Sequence, residues 1–225
     1  MKPLDVYNIL LKEYGHQGWW PVKDKDGKIK YSRKIQLTKE ERLEIIIGAI
    51  LVQNTSWKNV EKALYNLHEK KLINLQKLKK INKKELAETI RSSGYYNQKA
   101  EKLKAMVNFL EENNLEKLDV EEMRNKLLNL KGVGPETADS IILYAYHKPS
   151  FVVDLYTKRL FSRLGLIEQE NSYDVVKQFF QNQLEEDANL FREYHALVVE
   201  HSKQFCKKNP ICENCPLENK CEKNI

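Results

Sequence analysis

All four cysteines of the 225-residue chain lie between Cys206 and Cys221, and the first 205 residues have none. Their spacing is C-x5-C-x2-C-x5-C, at Cys206, Cys212, Cys215 and Cys221. A disulfide framework would spread its bridges to staple distant segments. Four thiolates in one short loop instead suit one soft metal centre. The candidates are a [4Fe–4S] cluster or a tetrahedral zinc, and cysteine count alone does not separate them. Two local disulfides are the bland alternative.

A second group precedes the cysteines. In Leu130-Lys131-Gly132-Val133-Gly134-Pro135-Glu136-Thr137-Ala138, two glycines flank one apolar residue, Val133, expected to be buried. Glycine accepts positive φ and lets backbone approach a ligand. A helix starting just after it presents free N–H groups that can hold phosphate oxygens. The competing reading is an ordinary helical hairpin with a glycine C-cap. Further on, Asp154 follows the apolar Phe151-Val152-Val153. It is expected to leave a buried segment and cap a helix beginning near Leu155.

The elements that must position these residues read as helices. Thr38-Lys39-Glu40-Glu41 is a capping box. Leu43, Ile46, Ile47, Ile50 and Leu51 behind it form one apolar helical stripe. Further stripes run through Trp57–Leu67, Leu86–Ile90 after an Asn82 cap, Leu103–Leu110, Met123–Leu130 and Ala138–Tyr146. Later helices are expected over Leu155–Leu164, Tyr173–Leu184 and Ala188–Phe205. The Lys-rich stretch from Lys70 to Lys84 reads as a solvated face and turn. The fold class is all-α.

Composition agrees with this. Eight glycines and six prolines are few turn formers for this length. The excess of 38 Lys+Arg over 32 Asp+Glu leaves +6, which suits a polyanionic partner and equally a solvated surface. The longest apolar run, Ile45 to Val52, is too short for a membrane span. The start lacks a signal-peptide core, so a cytoplasmic protein is expected.

The order Leu130-Lys131-Gly132-Val133-Gly134, Ala138 and then Val152-Val153-Asp154 resembles the helix-hairpin-helix–Gly/Pro–Asp signature of the endonuclease III superfamily of DNA glycosylases. The Cys206–Cys221 loop resembles that family's iron–sulfur loop, with the first gap one residue shorter than usual. The resemblance covers about Leu43 to Cys221. It implies two helical lobes: a six-helix barrel over about residues 36–145, and a second lobe from residues 1–35 and 146–225 carrying a [4Fe–4S] cluster. It also implies double-stranded DNA with a damaged base as the partner, so a nucleoid-associated, prokaryotic protein is expected; a monomer is expected because one cleft engages one lesion.

The resemblance assigns roles. Asp154 would stabilise the oxocarbenium character of a sugar losing its base, and could help activate water. Bifunctional members carry a lysine two residues after the second hairpin glycine, where an amine forms a Schiff base with the sugar. Glu136 stands there and cannot, so base release by water without strand cleavage is expected. His16-Gln17-Gly18-Trp19-Trp20-Pro21 resembles the Trp-Trp-Pro segment of the 3-methyladenine branch. Trp19, Trp20 and Pro21 would line a base pocket, with Glu136 near it, and an indole face favours a cationic alkylated purine. Gln53 would fill the gap left by a flipped base, and Tyr95 would wedge into the opposite strand. Gly132, Val133 and Gly134, with Lys207 and Lys208, would meet phosphates.

Four readings stay open at this point. The first is a monofunctional glycosylase for alkylated bases. The others are a uracil or thymine-mismatch glycosylase, a bifunctional glycosylase and lyase, and a non-catalytic DNA-binding protein with a structural four-cysteine module.

Overall fold

The computed structural model describes residues 1–23, 28–31 and 36–223. Among them the chain forms eleven α-helices and one two-stranded ribbon, so it is all-α as its periodicity predicts. Contacts group the residues into two units, one formed by Met1–Trp19 with Lys148–Ile225, the other by Trp20–His147. The boundary in the N-terminal part falls between Trp19 and Trp20. No helix among the described residues is long and apolar enough to cross a membrane.

The Trp20–His147 unit opens with β1 (Val22–Lys23) and β2 (Ile29–Lys30), paired antiparallel. Helix α2 (Lys39–Leu51) follows, and Thr38 caps it: Oγ1 accepts from Glu41 N–H at 3.2 Å while Glu41 accepts from Thr38 N–H at 2.7 Å. Buried residues on all sides of α2, including Ile45, Ile47 and Ile50, place it in the middle of its unit. Around it come α3 (Trp57–Glu69), α4 (Leu75–Lys80), α5 (Lys83–Thr89) and α6 (Tyr96–Glu112). Next come α7 (Val120–Leu128), α8 (Pro135–Ser140) and a π-helical turn at Ile141–Ala145. The Lys70–Lys84 stretch, read from the sequence as face and turn, contains α4. Leu78 is its buried anchor, and the Asn74 side chain accepts from Lys77 N–H at 3.0 Å. One apolar anchor among lysines is too weak a period to announce a helix.

The other unit holds α1 (Pro3–Tyr14), α9 (Leu155–Arg163), α10 (Tyr173–Gln181) and α11 (Ala188–Gln204). Its core is aromatic. Phe151 stacks on Phe180 at 4.1 Å and meets Phe191 and Tyr194 edge-on. Phe151 and Val152 are fully buried, so the segment before Asp154 is a core strut. The helix α1, with Pro3 at its first turn, was not expected from the sequence.

Candidate active site

Asp154 caps α9 as expected, and its two oxygens have different surroundings. Oδ1 accepts from Thr157 N–H at 2.7 Å and from the Thr157 hydroxyl at 2.9 Å. Oδ2 lies 3.5 Å from His195 Nε2 on α11, and the two side chains are 11% and 6% exposed. Burial alone raises a carboxyl pKa. Here His195 and the Thr157 donors outweigh it and hold Asp154 below the ordinary aspartate range. The result is a buried, charged carboxylate.

Trp19 lies in the same unit. Its ring meets His195 edge-on at 5.6 Å, and the Lys203 ammonium sits 5.7 Å from the ring centre. The indole face thus already accepts a cation. The segment is fastened to α11: Arg192 Nη2 donates to Trp19 O at 2.7 Å, Gln17 N–H donates to Glu193, and His16 Nδ1 lies 3.5 Å from Glu193.

Trp20, expected beside Trp19 in a base pocket, belongs to the other unit and is only 6% exposed. It packs against Trp57 and Tyr144 at 5.3 and 5.2 Å between ring centres. A Cβ at Gly48 would lie 3.1 Å from its Nε1, so α2 makes room for the indole by having no side chain there. Pro21 is also buried. The two neighbouring tryptophans therefore serve different units.

In the Trp20–His147 unit the glycine turn joins α7 to α8. Gly132 has φ +88°, a region glycine alone enters cheaply, and the Lys102 stem covers the space where a Cβ would be. Val133 is buried as expected, while Glu136 in the first turn of α8 is exposed. Beneath the turn, Arg124 on α7 clasps Asp139 on α8 with Nε at 3.0 and 3.3 Å from its two oxygens, and the Asp139 side chain is fully buried.

Gln53 reaches this turn. Its Nε2 donates to Gly132 O at 3.2 Å and Thr137 Oγ1 at 3.0 Å, and its Oε1 accepts from Lys102 Nζ at 2.5 Å. Tyr95 is 66% exposed and sits in the left-handed region at φ +46°, which is strained for an aromatic residue. Lys99, 2% exposed, donates to Leu51 O at 2.8 Å and Ser93 O at 2.6 Å. One ammonium thus fixes the chain two residues before Gln53 and two before Tyr95.

The four cysteines are unbridged and line one cavity with Leu160, Leu164, Ile211 and Leu217. Burial and the neighbouring sulfurs raise the thiol pKa values of Cys215 and Cys221. The thiols stand around the cavity; no three Cys, His, Asp or Glu side chains among the described residues form a single-ion site. Helix α9 braces the loop. Arg159 Nε donates to Cys206 O at 2.7 Å, and Arg163 donates to Cys206 Sγ, Lys207 O and Lys208 O at 3.4, 2.6 and 2.9 Å. Lys207 and Lys208 are exposed.

The spacing of the sequence does not mark His195, Lys203, Lys99, Lys102, Arg124, Arg159, Arg163 or Arg192. No spacing announces a residue whose partners come from distant helices.

Residues 47–186 match the model of the HhH-GPD superfamily of base excision DNA repair proteins. A protein of Methanocaldococcus jannaschii, provisionally named a DNA repair glycosylase, is 46% identical over 223 residues, covering 96% of this chain and 94% of the relative. Endonuclease III of Thermotoga maritima is 32% identical over 181 residues, 79% and 81% of the two chains. Among solved structures, H. pylori 3-methyladenine DNA glycosylase bound to 1,N6-ethenoadenine has a TM-score of 0.71 at 32% identity, covering 91% of this chain and 98% of that one. An endonuclease III–DNA complex shares the fold at TM-score 0.77 and 21% identity, covering 99% and 96%.

Proposed function

For a chain that belongs to the HhH-GPD superfamily of base excision DNA repair proteins, we propose the function of a monofunctional DNA glycosylase. It hydrolyses the N-glycosidic bond of a flipped, alkylated purine such as 3-methyladenine. The observation that carries this is the carboxylate of Asp154, kept charged while buried, with Oδ1 committed to Thr157 and Oδ2 outside that cap.

In this reading Oδ2 faces the sugar. As the base departs, C1′ gains positive charge, and a fixed carboxylate in a poorly hydrated site stabilises it without reorganising. The same oxygen orients the attacking water. Trp19 offers the aromatic face for the base, and a cationic purine would take the place of Lys203 at the indole. Such a base also leaves easily, so modest catalysis suffices. The 32% identity to the H. pylori enzyme supports this choice of substrate. Trp20 and Pro21 act by packing. Glu136 brings no amine, so the reaction stops at an abasic site in an intact strand.

Double-stranded DNA is held by the backbone from Gly132 to Gly134, by Lys207 and Lys208, and by Gln53 and Tyr95, which replace lost stacking. The all-sulfur donor set of Cys206, Cys212, Cys215 and Cys221, spaced around an apolar cavity, fits a [4Fe–4S] cluster, in which each thiolate has its own iron. Zinc would draw all four sulfurs to about 2.3 Å from one point. When bound, the cluster would cross-link the loop and leave the hydrolysis to Asp154.

The test uses labelled duplexes carrying an alkylated purine, uracil, a thymine mismatch or an oxidised pyrimidine, each read with and without hot alkali. Alkali-dependent breaks on the alkylated duplex are expected. Breaks without alkali, with an adduct trapped by borohydride, would overturn the monofunctional reading.

A further inference from the structure

We propose that His195 is a positioning residue for Asp154, selecting the carboxylate oxygen that faces the sugar. The inference rests on the glycosylase reading and deepens it.

Both Thr157 bonds go to Oδ1. They anchor one oxygen and leave the carboxylate free to tilt about it. A second anchor must come from another element, and α11 supplies it through His195 Nε2, 3.5 Å from Oδ2. At 3.5 Å this is an electrostatic contact rather than a closed hydrogen bond, and hydrogen on Nε2 is what makes it attractive to a carboxylate.

The imidazole is itself held. It is buried, with the Trp19 ring against its edge. Just before it in sequence, α11 is tied to the Trp19 segment: Arg192 donates to Trp19 O and Glu193 accepts from Gln17 N–H. The backbone that carries the ring is therefore fixed by the same stretch of α11 that places Trp19. One helix thus sets both the carboxylate oxygen and the indole face.

A carboxyl buried as Asp154 is would be raised toward neutrality by desolvation. Thr157 from its own helix and His195 from α11 face it, and together they reverse that shift. Without His195 only the Thr157 donors oppose burial, and the carboxylate protonates at higher pH. A protonated Asp154 cannot stabilise the sugar cation.

The experiment compares wild type, His195→Leu and His195→Gln as full-length protein with its metal centre in place. Three quantities are read: single-turnover base release from alkylated duplex across pH, affinity for a duplex with an abasic analogue, and Tm. Removal of the donor in His195→Leu is expected to slow base release about 10- to 100-fold and move its acid limb to higher pH. DNA affinity stays within about twofold, because only the step that develops charge is affected. The amide of His195→Gln, a donor that does not titrate, brings the rate back to within about fivefold.

Wild-type rate and an unmoved acid limb in His195→Leu would overturn the proposal and leave the glycosylase reading intact. A loss that His195→Gln does not rescue, with Tm and DNA affinity falling together, would also overturn it by making His195 a packing residue. Absence of base release by wild type from every duplex would remove the glycosylase reading, and this assignment with it.

Discussion

Gln53 and Thr137 are joined side chain to side chain, Nε2 donating to Oγ1 at 3.0 Å. This bond ties the loop after α2 to the first turn of α8. With Gly132 O and Lys102 it occupies the whole Gln53 amide in the DNA-free protein. A glutamine that fills the void behind a flipped base must exchange these partners for DNA ones. Gln53→Ala is predicted to lower stability by about 1–2 kcal/mol, the range for lost hydrogen bonds to neutral and charged groups. It should slow base release from duplex more than from single-stranded substrate, which has no void to fill. Equal slowing on both would contradict this role.

Lys99 gives the Gln53 and Tyr95 loops a shared, titratable anchor. Burial, reinforced by the charge of Lys102, pulls its pKa down to about 8. In the unfolded chain a lysine titrates near about 10.4. Between these values the unfolded state holds the proton and the folded state does not, so this group's contribution to stability rises with pH there. Its penalty is fully present below about pH 8. The Tm of wild type relative to Lys99→Met is therefore predicted to improve as pH rises through this window. A difference that stays flat or narrows would contradict it.

The adjacent tryptophans should separate cleanly on substitution. Trp20→Ala empties a core site under Gly48 and is predicted to cost about 3–5 kcal/mol. Trp19→Ala should leave thermal unfolding nearly unchanged and selectively impair release of cationic alkylated bases. Loss of stability in both variants, with no change in lesion preference, would contradict the assignment.

The helices announced themselves where apolar spacing was dense or a cap was explicit, as at Thr38, Asn82 and Asp154. Asn82 accepts from Glu85 N–H at 2.8 Å, as its spacing suggests. Helix α4 stayed hidden behind lysines, and α8 reads as one helix although it passes into a π-helical turn at Ile141. In the site, Asp154 and the cysteines were legible because motif spacing marks them. His195, Lys99 and Lys203 were not. Their partners lie 41, 48 and 184 residues away in the chain, and only folding reveals such pairs. Trp19 and Trp20 look alike in sequence, but different units claim them.

The cysteine loop makes a direct spectroscopic prediction. Purified under exclusion of oxygen, the protein should be brown, with broad visible absorbance and about four irons per chain. Cys212→Ser should weaken both and lower Tm, since α9 and the loop lose a shared anchor. A colourless protein with one zinc per chain would contradict the cluster assignment.

Asp154→Asn separates the chemistry proposed for Asp154 from folding and DNA binding. The amide can still accept the Thr157 cap bonds through its oxygen, so fold and DNA affinity should persist. It carries no charge to stabilise the sugar. Single-turnover base release from alkylated duplex, read after alkali, should fall by about a hundredfold or more while binding to an abasic analogue holds. Base release at the wild-type rate by the Asp154→Asn protein would contradict the account.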